Sequence, residues 1–189
     1  MAIGAESILD WMWGAFGVYW LGAAWRTKRA ATHEFGGLRV LRLCILGLTF
    51  ILLLTSWLRI GPLGWRFVPD IETLRWIGLA VTATGLALCV WARLHLGAYW
   101  SDKVVLKVNH QLVQSGPYAH LRHPIYSGVL LGIAGTALAV GEWRGMVALA
   151  VLGASYSVKA IREERILAAQ FGETFAEYKR RSGFLKPRF

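Results

Sequence analysis

The sequence predicts an all-α protein, a polytopic transmembrane helical bundle of about five spans, and three observations carry that prediction. Hydrophobic residues fill 56% of the 189 positions and charged ones only 17%, far from the composition of a soluble domain. The apolar residues fall in long runs separated by short charged gaps. Trp11, Trp13, Trp25, Trp57, Trp65, Trp76, Trp91, Trp100 and Trp143 stand at or near the ends of those runs, where an indole finds both an apolar body and a partner for its N–H.

The first span runs from Ile8 to Trp25, and the second from Leu43 to Leu58 between Arg42 and Arg59. At about 1.5 Å per residue each nearly crosses ~30 Å of hydrocarbon, with the arginine stems snorkelling over the remainder. A third span covers Trp76 to Ala92 and is extended by Ile71 to Arg75; a fourth covers Pro124 to Gly141. Gly145 to Val158 offers only 14 uncharged residues, short for an independent span. The polar link Gly141-Glu142-Trp143-Arg144 joins it to the fourth run, so the two read as an antiparallel helical hairpin over residues 124–160. One membrane domain, 1–189, is expected, with three spans of scaffold in 1–92. Gly128 with Gly132 and Gly78 with Thr82 have the four-residue spacing that lets helix backbones approach closely.

Loop charges orient the bundle, because cytoplasmic loops carry the excess of lysine and arginine. The first gap holds Arg26, Lys28, Arg29, Arg39 and Arg42, whereas the second mixes Arg59, Arg66 and Arg75 with Asp70 and Glu72. The amino terminus is therefore expected outside, and the segments 93–123 and 159–189 in the cytosol. The same distribution argues against nucleic acid as the partner for the net charge of +10, since the basic residues form no single stripe and suit membrane lipids instead. Cys44 and Cys89 lie within apolar runs without Cys-x-x-Cys spacing and read as small core residues. Glu6 and Asp10 disfavour a cleavable signal peptide in the first run.

Two segments are chemically dense. The first holds His110, Gly116-Pro117, Tyr118 and Arg122-His123-Pro124. Gly-Pro marks a turn, and proline suits the first position of a helix, where its missing N–H costs nothing. Arg122 and His123 then sit beside a helix start whose unpaired N–H groups favour an anion such as an amino-acid carboxylate. The second segment is Lys159-Ala-Ile-Arg-Glu-Glu-Arg-Ile-Leu167, where the fifth span leaves the membrane. Neighbours on a helix diverge by about 100°, so one of Glu163 and Glu164 is expected to face a ligand and the other not. Lys159 and Glu163 also have the spacing of a plain helical salt bridge, which would leave Glu164 as the inward one. Gly172 reads as a helix stop, and Phe175, Tyr178 and Lys179-Arg180-Arg181 as an interfacial amphipathic helix. His120 and His123 lack a third ligand, so no metal is expected. His95 reads as interfacial and Arg93 as a snorkelling anchor.

Together, His110-x-Leu-Val113, Ser115-Gly-Pro-Tyr118, Arg122-His-Pro-x-Tyr-x-Gly128, Glu163-Glu-x-x-Leu167, Phe171-Gly172 and Tyr178-x-x-Arg181 resemble the isoprenylcysteine carboxyl methyltransferase family and its bacterial relatives. The resemblance covers residues 93–189. It implies that S-adenosyl-L-methionine is bound between the fourth span, the fifth span and the C-terminal segment. His110, Leu112, Val113, Tyr118, Arg122, His123, Tyr126, Glu163, Glu164 and Leu167 would line it, and Arg181 would lie near a lipophilic or lipidated acceptor. Methyl transfer to a carboxylate needs no base; transfer to a lipid amine would make Glu164 or His123 a candidate base. The family usually continues after its arginine with Val-Pro, whereas Ser182-Gly183 follows here. Membrane sterol reductases share part of the pattern, which makes an NADPH-dependent reductase the alternative. The sequence gives no reading of the oligomeric state.

Overall fold

A computed structural model describes residues 4–24, 36–97 and 112–188. His110 and Trp25 lie outside the described residues, as does most of the basic first gap. Five α-helices follow one another: α1 Ala5–Ala24, α2 Gly36–Leu54, α3 Glu72–Leu96, α4 Pro124–Val140 and α5 Trp143–Arg181. By length and composition, α2, α3 and α5 are able to cross a membrane, and α4, at 17 residues, is a shorter apolar helix. The ambiguity over Gly145–Val158 is resolved by continuity, since that run is the first part of a 39-residue helix that continues out of the apolar zone to the acidic pair. Gly172 interrupts this helix as expected: at φ 50° and ψ −123° it leaves the helical region, and two helical stretches meet there at a kink. The end of α4 behaves as expected of glycine, with Gly141 in the left-handed region at φ 74°.

Helix α4 is the centre of the bundle, and its contact with α3 is made backbone to backbone. A Cβ on Gly85 would stand 2.4 Å from the Gly132 nitrogen, so only glycine permits this approach. Trp13 of α1 joins the same seam: its indole N–H donates to Thr136 Oγ1 at 3.0 Å, and Thr136 in turn lies 3.3 Å from Thr82 of α3. This corrects the assignment of Trp13 to an interfacial belt, because buried apolar surroundings and a hydroxyl acceptor hold it inside. Trp11, Trp57, Trp65, Trp76, Trp91 and Trp143 are exposed, as a belt requires.

The snorkelling role expected of Arg93 is corrected, and a second arginine, Arg144, has a comparable buried role. Arg93 is buried instead of snorkelling, and it donates to the Gly97 carbonyl and to the Ala23 carbonyl at the end of α1. Arg144 is buried too, and donates to the Leu52 carbonyl at 2.8 Å and to that of Thr55, capping the open end of α2. Glu142 balances its charge at 2.6 Å and also holds Arg59 at 2.9 Å. Of the cysteines, Cys89 is buried against the Ile125 carbonyl, but Cys44 is exposed on the outer face of α2.

Candidate active site

The site grows from the start of α4. Pro124 takes the first helical position and His123 the cap position, with no side chain capping the helix. Just before it, the turn Gly116–Ala119 buries Tyr118, whose carbonyl accepts from the Tyr178 hydroxyl at 2.8 Å. That bond brings the far end of α5 to the same place. Beyond α5, Gly183 pairs with the chain on both sides of Leu121: its N–H donates to the His120 carbonyl, and its carbonyl accepts from the Arg122 N–H, both at 2.9 Å. The site is thus enclosed by the start of α4, the polar half of α5 and the tail.

Arg122 Nε donates to Glu164 Oε1 at 2.6 Å, while Nη1 donates to the Lys179 carbonyl at 3.2 Å and to the Ser182 carbonyl. Much of the guanidinium is therefore committed within the protein. Glu164 also meets Lys179 Nζ at 3.2 Å. Burial works to raise the Glu164 pKa, but His123, Arg122 and Lys179 outweigh it and bring the carboxyl down to about 2.

His123 stands between the two carboxylates. Its Nδ1 is 3.6 Å from Glu163 Oε2 and its Nε2 is 3.4 Å from Glu164 Oε1, the latter outside hydrogen-bond geometry, so that this buried nitrogen lacks a bond. The ring stacks on Tyr126 with 5.4 Å between centroids and 6° between planes. Tyr126 donates its hydroxyl to Glu163 Oε1 at 2.6 Å. Both glutamates thus reach the imidazole, though of the two only Glu164 is buried. The two side chains do diverge, but an imidazole has a nitrogen on each edge and lies between them. The asymmetry survives in degree: the Glu163 side chain is 22% exposed and that of Glu164 9%.

Tyr118, Arg122, His123, Tyr126, Glu163 and Glu164 are brought together. Val113 packs on the cluster of Ala92, Tyr118 and Ile125, while Leu112 and Leu167 are half-buried nearby in sequence. Arg181 stands apart on the exposed side, its guanidinium donating to the Gln114 side chain. His120 is exposed and His123 is not, so the His-x-x-His spacing does not form a matched pair.

Sequence reasoning read Lys159 only as a salt-bridge partner of Glu163, and assigned no site role to Ser182 or Phe184. Lys159 is buried at the end of the apolar run, with Nζ 5.0 Å above the Tyr126 ring and 3.9 Å from Glu163. Ser182 is 2% exposed, and Phe184 meets the His123 ring edge-on at 5.3 Å. The unusual Ser182-Gly183 pair and the four-residue spacing of Lys159 and Glu163 were the visible signals.

The sequence profile of the Isoprenylcysteine carboxyl methyltransferase (ICMT) family matches residues 76–169. The Cobalt-zinc-cadmium resistance protein CzcN of Cupriavidus metallidurans is 34% identical over 122 residues, covering 64% of this chain and 50% of that protein. The human Protein-S-isoprenylcysteine O-methyltransferase is 31% identical over 141 residues, covering 68% of this chain and 47% of that protein. A solved structure of a eukaryotic intramembrane Ras methyltransferase, ICMT, superposes with a TM-score of 0.54 at 24% identity, over 83% of this chain and 54% of that one, which is a likeness of fold. The chain spans about half the length of these relatives.

Proposed function

This chain belongs to the isoprenylcysteine carboxyl methyltransferase family, and on that premise we propose that it transfers a methyl group from S-adenosyl-L-methionine to a lipophilic acceptor at the cytosolic face of a membrane. One observation carries the reading: a dense cluster of two carboxylates, an imidazole, a guanidinium and a phenol is built where two apolar helices end. A ligand bearing an ammonium and a sulfonium suits two carboxylates, and the buried His123 Nε2 without a bond suits a polar ligand atom. Tyr118, Tyr126 and Val113 offer apolar surface beside the cluster, and Leu112, Leu167 and His110 would complete the set carried over from the family pattern.

S-adenosyl-L-methionine supplies a methyl already activated by its sulfonium. The protein's part is alignment and exclusion of water. Glu164, held ionised by Arg122 and Lys179, stays negative across the physiological range and favours the cationic donor. With a carboxylate acceptor such as that of a prenylated cysteine, its oxygen bonds to the methyl carbon as the carbon–sulfur bond breaks, and no proton moves. Arg181, on the exposed side, and Lys159, beside the apolar run, are the cations that would orient that anion. With a lipid amine acceptor, His123 or Glu164 would have to take a proton. The depressed pKa of Glu164 makes it a poor base, which leaves that task to His123. The amino terminus outside and the site inside follow from the loop charges. The family assignment does not favour the NADPH-dependent reductase.

Calorimetry in detergent or nanodiscs tests the donor, with S-adenosyl-L-methionine binding expected and NADPH binding not. Transfer of labelled methyl to a farnesylcysteine derivative against phosphatidylethanolamine then separates carboxylate from amine.

A further inference from the structure

After α5 the chain does not leave the molecule. Ser182 is buried, its hydroxyl donating back to the Tyr178 carbonyl at 2.5 Å. Gly183 pairs with His120 and Arg122, and the Arg188 N–H donates to the His120 carbonyl at 3.1 Å. The Leu185 carbonyl accepts from the Ser127 hydroxyl of α4 at 2.9 Å. Residues 182–188 therefore form a strap fastened to the segment that delivers Arg122 and His123. Its turn depends on glycine: a Cβ on Gly183 would fall 1.7 Å from the Lys186 carbonyl oxygen. This gives a physical reason for the departure at Ser182-Gly183, since a side chain at residue 183 would unseat the strap.

The strap sets one aromatic ring against the site. Phe184 meets the His123 ring edge-on, at 5.3 Å and 79°, and lies 5.8 Å from the Arg122 guanidinium carbon. Tyr126 stacks flat on the same imidazole. His123 is thus fixed in orientation by two rings of different geometry, each touching a different part of it, and this fixed plane is what puts one nitrogen toward each glutamate. An aromatic edge carries partial positive charge and a face partial negative charge, so the pair of contacts restrains both tilt and rotation. Phe184 also keeps apolar surface over the Arg122 side of the cluster, where exclusion of water strengthens the charged pair.

We propose that Phe184 is a positioning residue of this site, holding the His123 ring between Glu163 and Glu164, and that it is through Phe184 that the strap 182–188 forms the C-terminal wall which the family resemblance implies for the donor-binding site. The second half rests on the methyltransferase reading; the first does not. Phe184 has no reacting atoms and acts through His123.

Two readouts on the full chain separate these halves. Diethylpyrocarbonate modification, followed by peptide mass spectrometry, reports access to His123, with the exposed His95 as internal control. Calorimetry with S-adenosylhomocysteine reports the donor site. In the parent protein His123 should react at least tenfold more slowly than His95. Phe184→Ala should raise the His123 rate about tenfold, leave His95 unchanged and weaken S-adenosylhomocysteine about tenfold. Gly183→Val should do the same by unseating the strap, and Phe184→Tyr should restore both readouts. Should the alanine variant fail to fold, Phe184→Leu keeps the apolar volume and should still raise the His123 rate about threefold. His123 reactivity within twofold of the parent in folded Phe184→Ala or Phe184→Leu protein overturns the positioning role. Altered His123 reactivity with unaltered affinity overturns the wall. A parent protein that binds no S-adenosylhomocysteine overturns the methyltransferase reading and the wall with it, while the His123 result stands or falls alone.

Discussion

Arg122 Nε stands 2.6 Å from Glu164 Oε1, with the two side chains only 8% and 9% exposed, so the start of α4 and the polar half of α5 are joined by a desolvated ion pair. Removing one partner leaves the other buried with its charge only partly compensated, Glu164 by Lys179 at 3.2 Å and Arg122 by two carbonyls, which costs up to about 3 to 5 kcal/mol. Glu164→Gln and Arg122→Ala should each destabilise the protein on this scale, measured by chemical unfolding in detergent. The double variant should cost less than the sum of the two, because the second change removes the stranded charge.

Glu163 should behave differently. It is the more exposed glutamate, and it keeps Tyr126 as a donor if its charge is removed. Glu163→Gln should therefore cost about 1 kcal/mol or less in stability. Melting temperatures of the two glutamine variants side by side check this.

Acid should loosen the same junction. The Glu164 pKa falls from its ordinary 4.5 to about 2 in the folded protein, so the unfolded chain takes up its proton first as pH drops. The stabilisation is complete above about pH 5. It is lost progressively as pH falls from there toward the folded value of about 2. Glu164→Gln should flatten that part of the stability–pH curve; an unchanged slope would place the ionisation elsewhere.

At the opposite membrane boundary, Arg144 caps α2 while Glu142 neutralises it. Arg144→Met should strand Glu142, though Arg59 partly compensates, and free the α2 carbonyls, costing about 3 kcal/mol. Protease sensitivity near Thr55 should rise. Glu142→Gln in the same chain should recover part of the loss.

The parts of this fold that local pattern dictates were legible in the sequence. Apolar runs gave the helices, Pro124 gave the start of α4, and glycine spacing gave the α3–α4 seam. The motif order also gathered Tyr118, Arg122, His123, Tyr126, Glu163 and Glu164, which are side by side in space. What escaped were long-range roles with no local signature. Arg93 looked like a membrane anchor because an arginine at the end of an apolar run has that use most often, and Arg144 looked like part of a polar link; each instead caps another helix. The strap is held through backbone groups of Gly183, Leu185 and Arg188, which any sequence carries. Phe184 has significance only once that backbone pairing brings it to His123.

The central claim is that the buried cluster is a donor site, and S-adenosyl-L-methionine affinity across three proteins tests it most directly. The account predicts that the parent binds, that Glu163→Gln binds several-fold more weakly, and that folded Glu164→Gln loses at least tenfold. A parent that does not bind, or a folded Glu164→Gln variant that binds as tightly as the parent, would contradict it.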